Sequence, residues 1–122
     1  MTTNLIESSK GKIAVIHSDT PIVTDARSAL DLAATLHYEH ECQNIAINKS
    51  AITEDFFRLS TGVAGEIVQK LVNYRYRLAI IGDFSGYASK PLRDYICECN
   101  KGRHLYFVES EQAAVEKLGG KE

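Results

Sequence analysis

The 122-residue chain is of a length that usually forms one domain, and its composition excludes several classes of protein. With 44% hydrophobic residues, we expect a single core that buries roughly 65 to 70% of the surface exposed by the unfolded chain. The net charge of -2 provides no general attraction for nucleic acid. The N-terminal residues lack a signal-peptide pattern, and no apolar run approaches the ~20 residues that span a membrane. We therefore predict a soluble, cytoplasmic protein with neither a nucleic-acid nor a membrane partner.

The N-terminal part of the chain predicts a β-hairpin, a helix and a strand. Residues 5–8 and 13–17 are strand-like segments on either side of a turn that contains Gly11. Thr24 or Asp25 can cap a helix that runs to about Glu41, because apolar residues recur beyond the cap at helical spacing. Residues 45–47 are apolar and rich in β-branched side chains, which predicts a third strand.

The middle of the chain predicts an irregular connection, a second helix and a buried strand. Residues 50–59 are mostly polar, and Thr53 can cap one short helical turn among them. Apolar residues from Val63 to Val72 then form a stripe with a period of 3.6 residues, so a helix should end near Tyr74. Residues 78–81 are continuously apolar, which is typical of a strand covered on both faces. We place that strand in the middle of the sheet.

The C-terminal part predicts two helices separated by a fifth strand. Ser89 can cap a helix that ends near Lys101 and has a proline in its first turn. Residues 104–108 form the last predicted strand, and Ser110 can cap a final helix that residues 119–120 end. Residues 121–122 are expected to fray.

Together these elements predict an α/β fold with a five-stranded mixed sheet. An N-terminal β-hairpin is followed by the order α-β-α-β-α-β-α, and right-handed crossovers make the later strands parallel. The core is predicted to contain Ile67, Leu71, Ile80 and Ile96. Three cysteines cannot all pair with one another, which fits a reducing compartment.

Several segments of the chain resemble a known family. The sequences ITEDFF from residue 52, LSTGVAGEIVQKL from residue 59 and LAIIGDFSGYASKPLRDYI from residue 78 look like the bacterial proteins of domain-of-unknown-function family 4180. This resemblance covers nearly the whole chain and implies a fold without an established activity. The order of elements is also similar to the STAS domains of anti-sigma-factor antagonists and sulfate transporters, which form a βα superhelix. That second similarity is one of topology, and topology alone does not carry function.

One turn resembles the regulatory turn of those antagonists. Their regulatory serine lies in an Asp-Ser-Ser/Thr-Gly turn at the start of a helix, and Ser60-Thr61-Gly62 occupies such a position here with Leu59 in place of the aspartate. A phosphate on Ser60 or Thr61 would meet free backbone amides at the helix N-terminus. The simpler interpretation is that one of these residues is the N-cap.

Other local patterns have a functional and a simpler structural interpretation. His37 and His40 could share a metal, but histidines near a helix C-terminus more often interact with its dipole, and we predict no metal site. Phe56 and its neighbour Phe57 could offer one exposed aromatic side chain to a partner. The alternating aromatic and cationic residues from Tyr74 to Arg77 are typical of proteins that bind single-stranded nucleic acid. The same alternation is typical of residues at the start of a β-strand.

The carboxyl ends of the predicted parallel strands carry the residues that we would test first. Ligands of open α/β sheets bind outside these ends. In one interpretation the turn after residues 78–81 and the segment 48–50 form a recognition surface. In the other, Asp83 accepts hydrogen bonds from turn amides and Ser89 caps a helix, which leaves no group free. The candidate binding residues are Asn48, Ser50, Phe56, Asp83, Phe84, Ser85 and Tyr87.

No catalytic or cofactor-binding motif is present, so we predict no catalytic residue and no cofactor. Three classes of function remain open. The chain could be a non-catalytic regulatory or protein-interaction module, which the STAS-like topology favours. It could instead bind a small ligand, or be an enzyme of unrecognised type, through the loops at the carboxyl ends of the strands. A self-associating subunit, most simply a homodimer, is the third class.

Overall fold

A computed structural model of the chain describes residues 1–119, which contain one five-stranded sheet. The strands are β1 (Thr2–Ser8), β2 (Gly11–His17), β3 (Asn44–Asn48), β4 (Arg77–Ile81) and β5 (Leu105–Val108). They lie side by side in the order of the chain. β1 is antiparallel to β2, and all other neighbours are parallel. The predicted α/β class, mixed sheet and N-terminal hairpin are confirmed, while the ends predicted for residues 120–122 lie outside the described residues.

Four α-helices connect or follow the strands in the described part of the chain. They are α1 (Ala26–His40), α2 (Val63–Asn73), α3 (Lys90–Asn100) and α4 (Glu111–Gly119). Asp25 and Ser89 cap α1 and α3 as predicted, and the Ser110 hydroxyl accepts a hydrogen bond from the Ala113 amide in the first turn of α4. Among residues 1–119, no helix is both long enough and apolar enough for a membrane span.

The helices divide unequally between the two faces of the sheet. α1, α2 and α3 pack on one face, where the larger part of the core lies and contains Ile16, Ile47 and Ile80 among other residues. Within residues 1–119, α4 is the helix that packs on the opposite face, through Ala114 and Leu118. This arrangement follows from right-handed crossovers between strands added in sequence, because each crossover helix then lies on the same face.

Two details of the predicted core need correction. β3, and not β4, occupies the middle position of the sheet, although β4 is an interior strand with parallel neighbours on both sides. Ile67, Leu71 and Ile80 are buried as predicted, whereas Ile96 is only partly buried at the margin of the core. Ile96 lies on α3, which packs mainly against the edge strand β5, so part of its apolar face remains exposed.

The two edges of the sheet differ in their protection. At β5, the side-chain amide of Asn100 accepts a hydrogen bond from the Phe107 amide at 2.8 Å and donates one to the Phe107 carbonyl at 3.2 Å. Those two bonds occupy backbone groups that another strand would otherwise pair with. β1, in contrast, has a strand neighbour on one side only within the described residues, and Leu5 on it is 42% exposed.

We predict that the open edge of β1 pairs with a second copy of the chain to give a homodimer. Light scattering at about 100 μM should give twice the mass of one chain, because an interface of standard size usually binds more tightly than that. Leu5→Lys should shift the mass to that of one chain without changing the melting temperature, since a lysine on an edge strand opposes strand addition. A wild-type protein with the mass of one chain would contradict this prediction.

Candidate functional site

The candidate site lies where β3 and β4 end. The two strands are parallel and Asn48 pairs with Ile81, so the segments that follow them are neighbours at one rim of the sheet. A side chain at Gly82 would place its Cβ 2.8 Å from the Cβ of Lys49, which is closer than real Cβ contacts allow. Glycine at this position therefore lets the two segments pack together and fixes the place of Lys49.

Asn48 and Ser50 hold the loop that follows β2. The side-chain oxygen Oδ1 of Asn48 accepts a hydrogen bond from the Ser18 backbone amide at 2.9 Å, and Asn48 Nδ2 donates to the Ser18 carbonyl at 2.7 Å. Nδ2 also donates to the Ser50 hydroxyl, which itself donates to the Ser18 carbonyl at 3.2 Å. The Asn48 amide is thus committed to the protein itself, and its role in the fold explains the residue without a ligand.

Asp83 lies at the surface and forms a local turn. Its Oδ1 accepts hydrogen bonds from the Ser85 hydroxyl at 2.6 Å and from the Ser85 amide at 2.9 Å. These two bonds, the hydroxyl more than the amide, hold the pKa of the Asp83 carboxyl below its usual range, and the nearby Lys49 ammonium adds to the effect. A carboxylate with a lowered pKa is a good hydrogen-bond acceptor and a poor proton acceptor near neutral pH.

An aromatic cluster supports the surface from below. The Tyr87 ring stacks on the Phe57 ring with a centroid distance of 5.5 Å, and Phe84 packs edge-on against Phe107 at 5.3 Å. Phe84 and Tyr87 are half-buried, so each shows part of its ring to solvent. The prediction that Phe56 or Phe57 is exposed to a partner is wrong, because both rings are buried in the core. Phe56 stabilises the turn Glu54–Phe57 from inside and offers no surface.

Lys49, Tyr87 and Glu54 form a connected group on top of this cluster. The Tyr87 hydroxyl donates a hydrogen bond of 2.9 Å to Glu54 Oε2, and the Lys49 Nζ lies 4.7 Å from the centre of the Tyr87 ring. The polar contact with Tyr87, together with the Glu54 and Asp83 carboxylates, raises the pKa of the Lys49 ammonium above its usual range. The pKa of the Tyr87 hydroxyl is also raised, mainly because burial disfavours its charged form. The raised pKa values keep Lys49 a cation and Tyr87 a neutral phenol near neutral pH, next to the Glu54 side chain.

Two shallow depressions lie on either side of this group. One has a volume of about 520 Å³ and is lined by Lys49, Glu54 and Asp83 among others. The second, of about 530 Å³, is lined by Glu54, Tyr87 and Ser60 among others. Glu54 borders both, so the Tyr87–Glu54 hydrogen bond lies between them. We call the surface formed by Lys49, Glu54, Asp83, Ser85 and Tyr87 the carboxyl-end surface.

Comparison with known families identifies the chain. Residues 8–118 match the family model described as a domain of unknown function, DUF4180. The protein belongs to this family. No curated protein and no solved structure gives a significant match. Membership confirms the resemblance to domain-of-unknown-function family 4180 noted from the sequence, and it leaves the activity to be inferred from the site itself.

Ser60 and Thr61 precede α2, and Ser60 lines the second depression. Gly62, with a φ of 79°, occupies the N-cap position of α2, so neither residue is the cap itself. The Thr61 hydroxyl accepts a hydrogen bond from the Val63 amide at 3.2 Å and lies 2.8 Å from the Asp55 and Arg58 carbonyls, to which it donates. Ser60 is exposed, and phosphorylation of either residue stays a prediction.

The remaining candidate patterns are the histidines near the end of α1 and the tyrosines before β4. The His37 Nδ1 lies 3.2 Å from the hydroxyl of the buried Tyr76, which ties the end of α1 to the start of β4. Within residues 1–119, no three His, Cys, Asp or Glu side chains come together in a way that could hold a metal ion. Tyr74 is 57% exposed while Tyr76 is buried, so these two tyrosines do not form one stacking surface.

The sequence placed Lys49 within the candidate segment 48–50 without singling out its side chain, and it gave no sign of Glu54 as a site residue. A lysine directly after a strand and a glutamate in a polar connection are both common on protein surfaces. The steric need for Gly82 next to Lys49 appears only when the register of β3 and β4 is known. The one available signal was the glycine itself, which directly follows an apolar strand.

Proposed function

We propose that the protein is a non-catalytic interaction module that binds a protein partner through the carboxyl-end surface. The proposal includes a cytoplasmic location and the STAS-like relationship suggested by the order of elements. Its main support is the Lys49–Tyr87–Glu54 group, in which opposite charges are held over a packed aromatic cluster. The Tyr87–Glu54 hydrogen bond and the contact of Lys49 with the Tyr87 ring restrict these side chains, which reduces the entropy that they lose when a partner binds.

The shape and exposure of the surface favour a macromolecule over a small substrate. Small-molecule sites usually enclose most of their ligand, whereas the two depressions here are shallow and meet at Glu54. Asp83 is exposed, and its pKa is lowered, so it lacks the shielded environment that raises the pKa of a catalytic carboxylate. Half-buried aromatic rings beside charged groups are typical of the central contacts of protein interfaces.

The proposal predicts that substitutions on the carboxyl-end surface weaken binding and leave the fold intact. Proteins captured from a cell extract by the wild-type chain should be lost with Lys49→Gln and with Asp83→Asn, because both remove a charge and keep the side-chain size. Affinity of the purified partner should fall about tenfold for Lys49→Gln, the usual loss for a charged contact in an interface. Melting temperatures should stay close to that of the wild type, since surface changes cost less than about 0.5 kcal/mol.

Lys70→Gln serves as the control for this experiment. Lys70 is an exposed lysine on α2, away from the carboxyl-end surface, and its replacement makes the same change in net charge. A partner that is lost equally with Lys70→Gln would point to a general charge effect and contradict the proposal. A lower melting temperature for Asp83→Asn, with binding retained, would assign Asp83 to the fold alone.

A further inference from the structure

The opposite end of the sheet carries a depression of different character. It lies at the amino ends of the parallel strands, has a volume of about 740 Å³ and is open to solvent. Its lining contains no aspartate or glutamate among the described residues, in a chain whose net charge is -2. The cations that line it are Lys10, Arg75, Arg77, Arg103 and Lys117, and His104 lies among them.

Arg77 is fixed at the floor of this depression by neutral groups. Its guanidinium has five N–H donors, which matches the five acceptors within reach. None of these acceptors is a carboxylate, so the positive charge of Arg77 is held in place without being neutralised by an anion. The acceptors are the carbonyls of Arg103, Lys117 and Leu118, the side-chain oxygen of Asn44 and the Tyr106 hydroxyl, at 2.7 to 3.4 Å.

The other four cations come from three connections of the fold and from one helix. Lys10 lies in the β1–β2 turn, Arg75 between α2 and β4, Arg103 between α3 and β5, and Lys117 near the end of α4. Within residues 1–119, none of the four forms an ion pair. Side chains of like charge repel one another, so their convergence on one depression without a counter-charge needs an explanation other than folding stability.

We propose that this depression, the amino-end basic site, binds a small anion that carries one or more phosphate groups. Arginine side chains match the geometry of phosphate oxygens with paired hydrogen bonds, and lysine adds point charges around them. All N–H donors of Arg77 already bond within the protein, so in this proposal Arg77 contributes positive charge only. Arg75, Arg103, Lys10 and Lys117 donate the hydrogen bonds to the anion. The volume is that of a small-ligand site, and the negative net charge favours a compact anion over a long polyanion.

A titration of the ¹⁵N-labelled protein with inorganic phosphate and with pyrophosphate tests this proposal. Amide resonances of Arg75, Arg103 and His104 should move and saturate, with pyrophosphate binding more tightly because it carries more charge. The dissociation constant of pyrophosphate should rise at least about tenfold in Arg75→Gln/Arg103→Gln, since each charge-assisted hydrogen bond is worth about that factor. The single variants Arg75→Gln and Arg103→Gln provide the same comparison if the double variant does not fold.

Arg27→Gln/Arg93→Gln is the matched control, because it also removes two exposed arginines but leaves the amino-end basic site unchanged. It should bind pyrophosphate as the wild type does. Equal loss in the two double variants, or no saturable shift at up to about 10 mM of either anion, would overturn the proposal. Tighter binding of a short single-stranded oligonucleotide than of pyrophosphate would overturn it in favour of a nucleic-acid site.

Discussion

Replacement of Ile80 by aspartate should leave the protein unfolded. Ile80 is fully buried in β4, where it is paired with Ile47 of β3 and Phe107 of β5 and packs in the larger part of the core. A carboxylate in this environment has no partner, and its burial costs several kcal/mol, which is comparable with the whole stability of a small domain. Circular dichroism should therefore detect no cooperative thermal transition for Ile80→Asp.

Tyr38→Asp is the control for this substitution. Tyr38 is 91% exposed on α1, so the same carboxylate at this position stays in water. The control should melt cooperatively and close to the wild type, because surface substitutions change stability by less than about 0.5 kcal/mol. An unchanged cooperative transition in Ile80→Asp would show that β4 is not the interior strand described above.

Much of the fold follows from local patterns in the sequence. The helical stripe in residues 63–73 and the caps Asp25 and Ser89 each depend on residues a few positions apart, so they can be recognised without knowledge of the tertiary structure. Local patterns could not decide whether β3 or β4 occupies the middle of the sheet. β3 is as fully covered on both faces as β4, and an apolar sequence cannot distinguish two interior strands.

The candidate site was predictable in its location and not in its chemistry. Parallel strands bring their carboxyl ends to one rim, which placed Asn48 and Asp83 near each other. The contacts that decide their roles join residues that are distant in sequence. Asn48 bonds to Ser18, 30 positions earlier, and Tyr87 bonds to Glu54, 33 positions earlier. Neither pair has a local sequence signature, so the sequence did not indicate that Asn48 bonds to Ser18 or that Glu54 joins Tyr87.

The role of Arg77 also depends on residues that are distant in sequence, and it affects the stability of the protein. From the sequence it is the last of four alternating residues that enter a strand. In the structure its side chain reaches the carbonyls of Lys117 and Leu118 at the end of α4, 40 and 41 positions later. A cation at these carbonyls satisfies backbone acceptors that a helix leaves free and interacts favourably with the helix dipole. Arg77 therefore ties the end of α4, which packs on the opposite face of the sheet from α1, α2 and α3, to the amino end of β4.

Arg77→Gln should lower the free energy of unfolding by about 2 to 4 kcal/mol, because several acceptors lose a charged donor and the buried Asn44 loses a partner. The measurement is the midpoint of urea unfolding together with its slope. Arg103→Gln is the control: it removes the same charge from the same depression, but the Arg103 side chain has no hydrogen-bond or ion-pair partner within the described residues. Its stability should stay within about 0.5 kcal/mol of the wild type.

Arg77→Lys separates the charge of Arg77 from its hydrogen-bond geometry. Lysine keeps the positive charge, but its three donors radiate from one atom and cannot reach acceptors spread over α4, β3 and β5. If the fixed guanidinium holds α4 in place, Arg77→Lys should recover less than half of the stability lost in Arg77→Gln. Full recovery would mean that a positive charge near the end of α4 is sufficient. Stability equal to the wild type in Arg77→Gln would show that α4 is held by its apolar contacts through Ala114 and Leu118 alone.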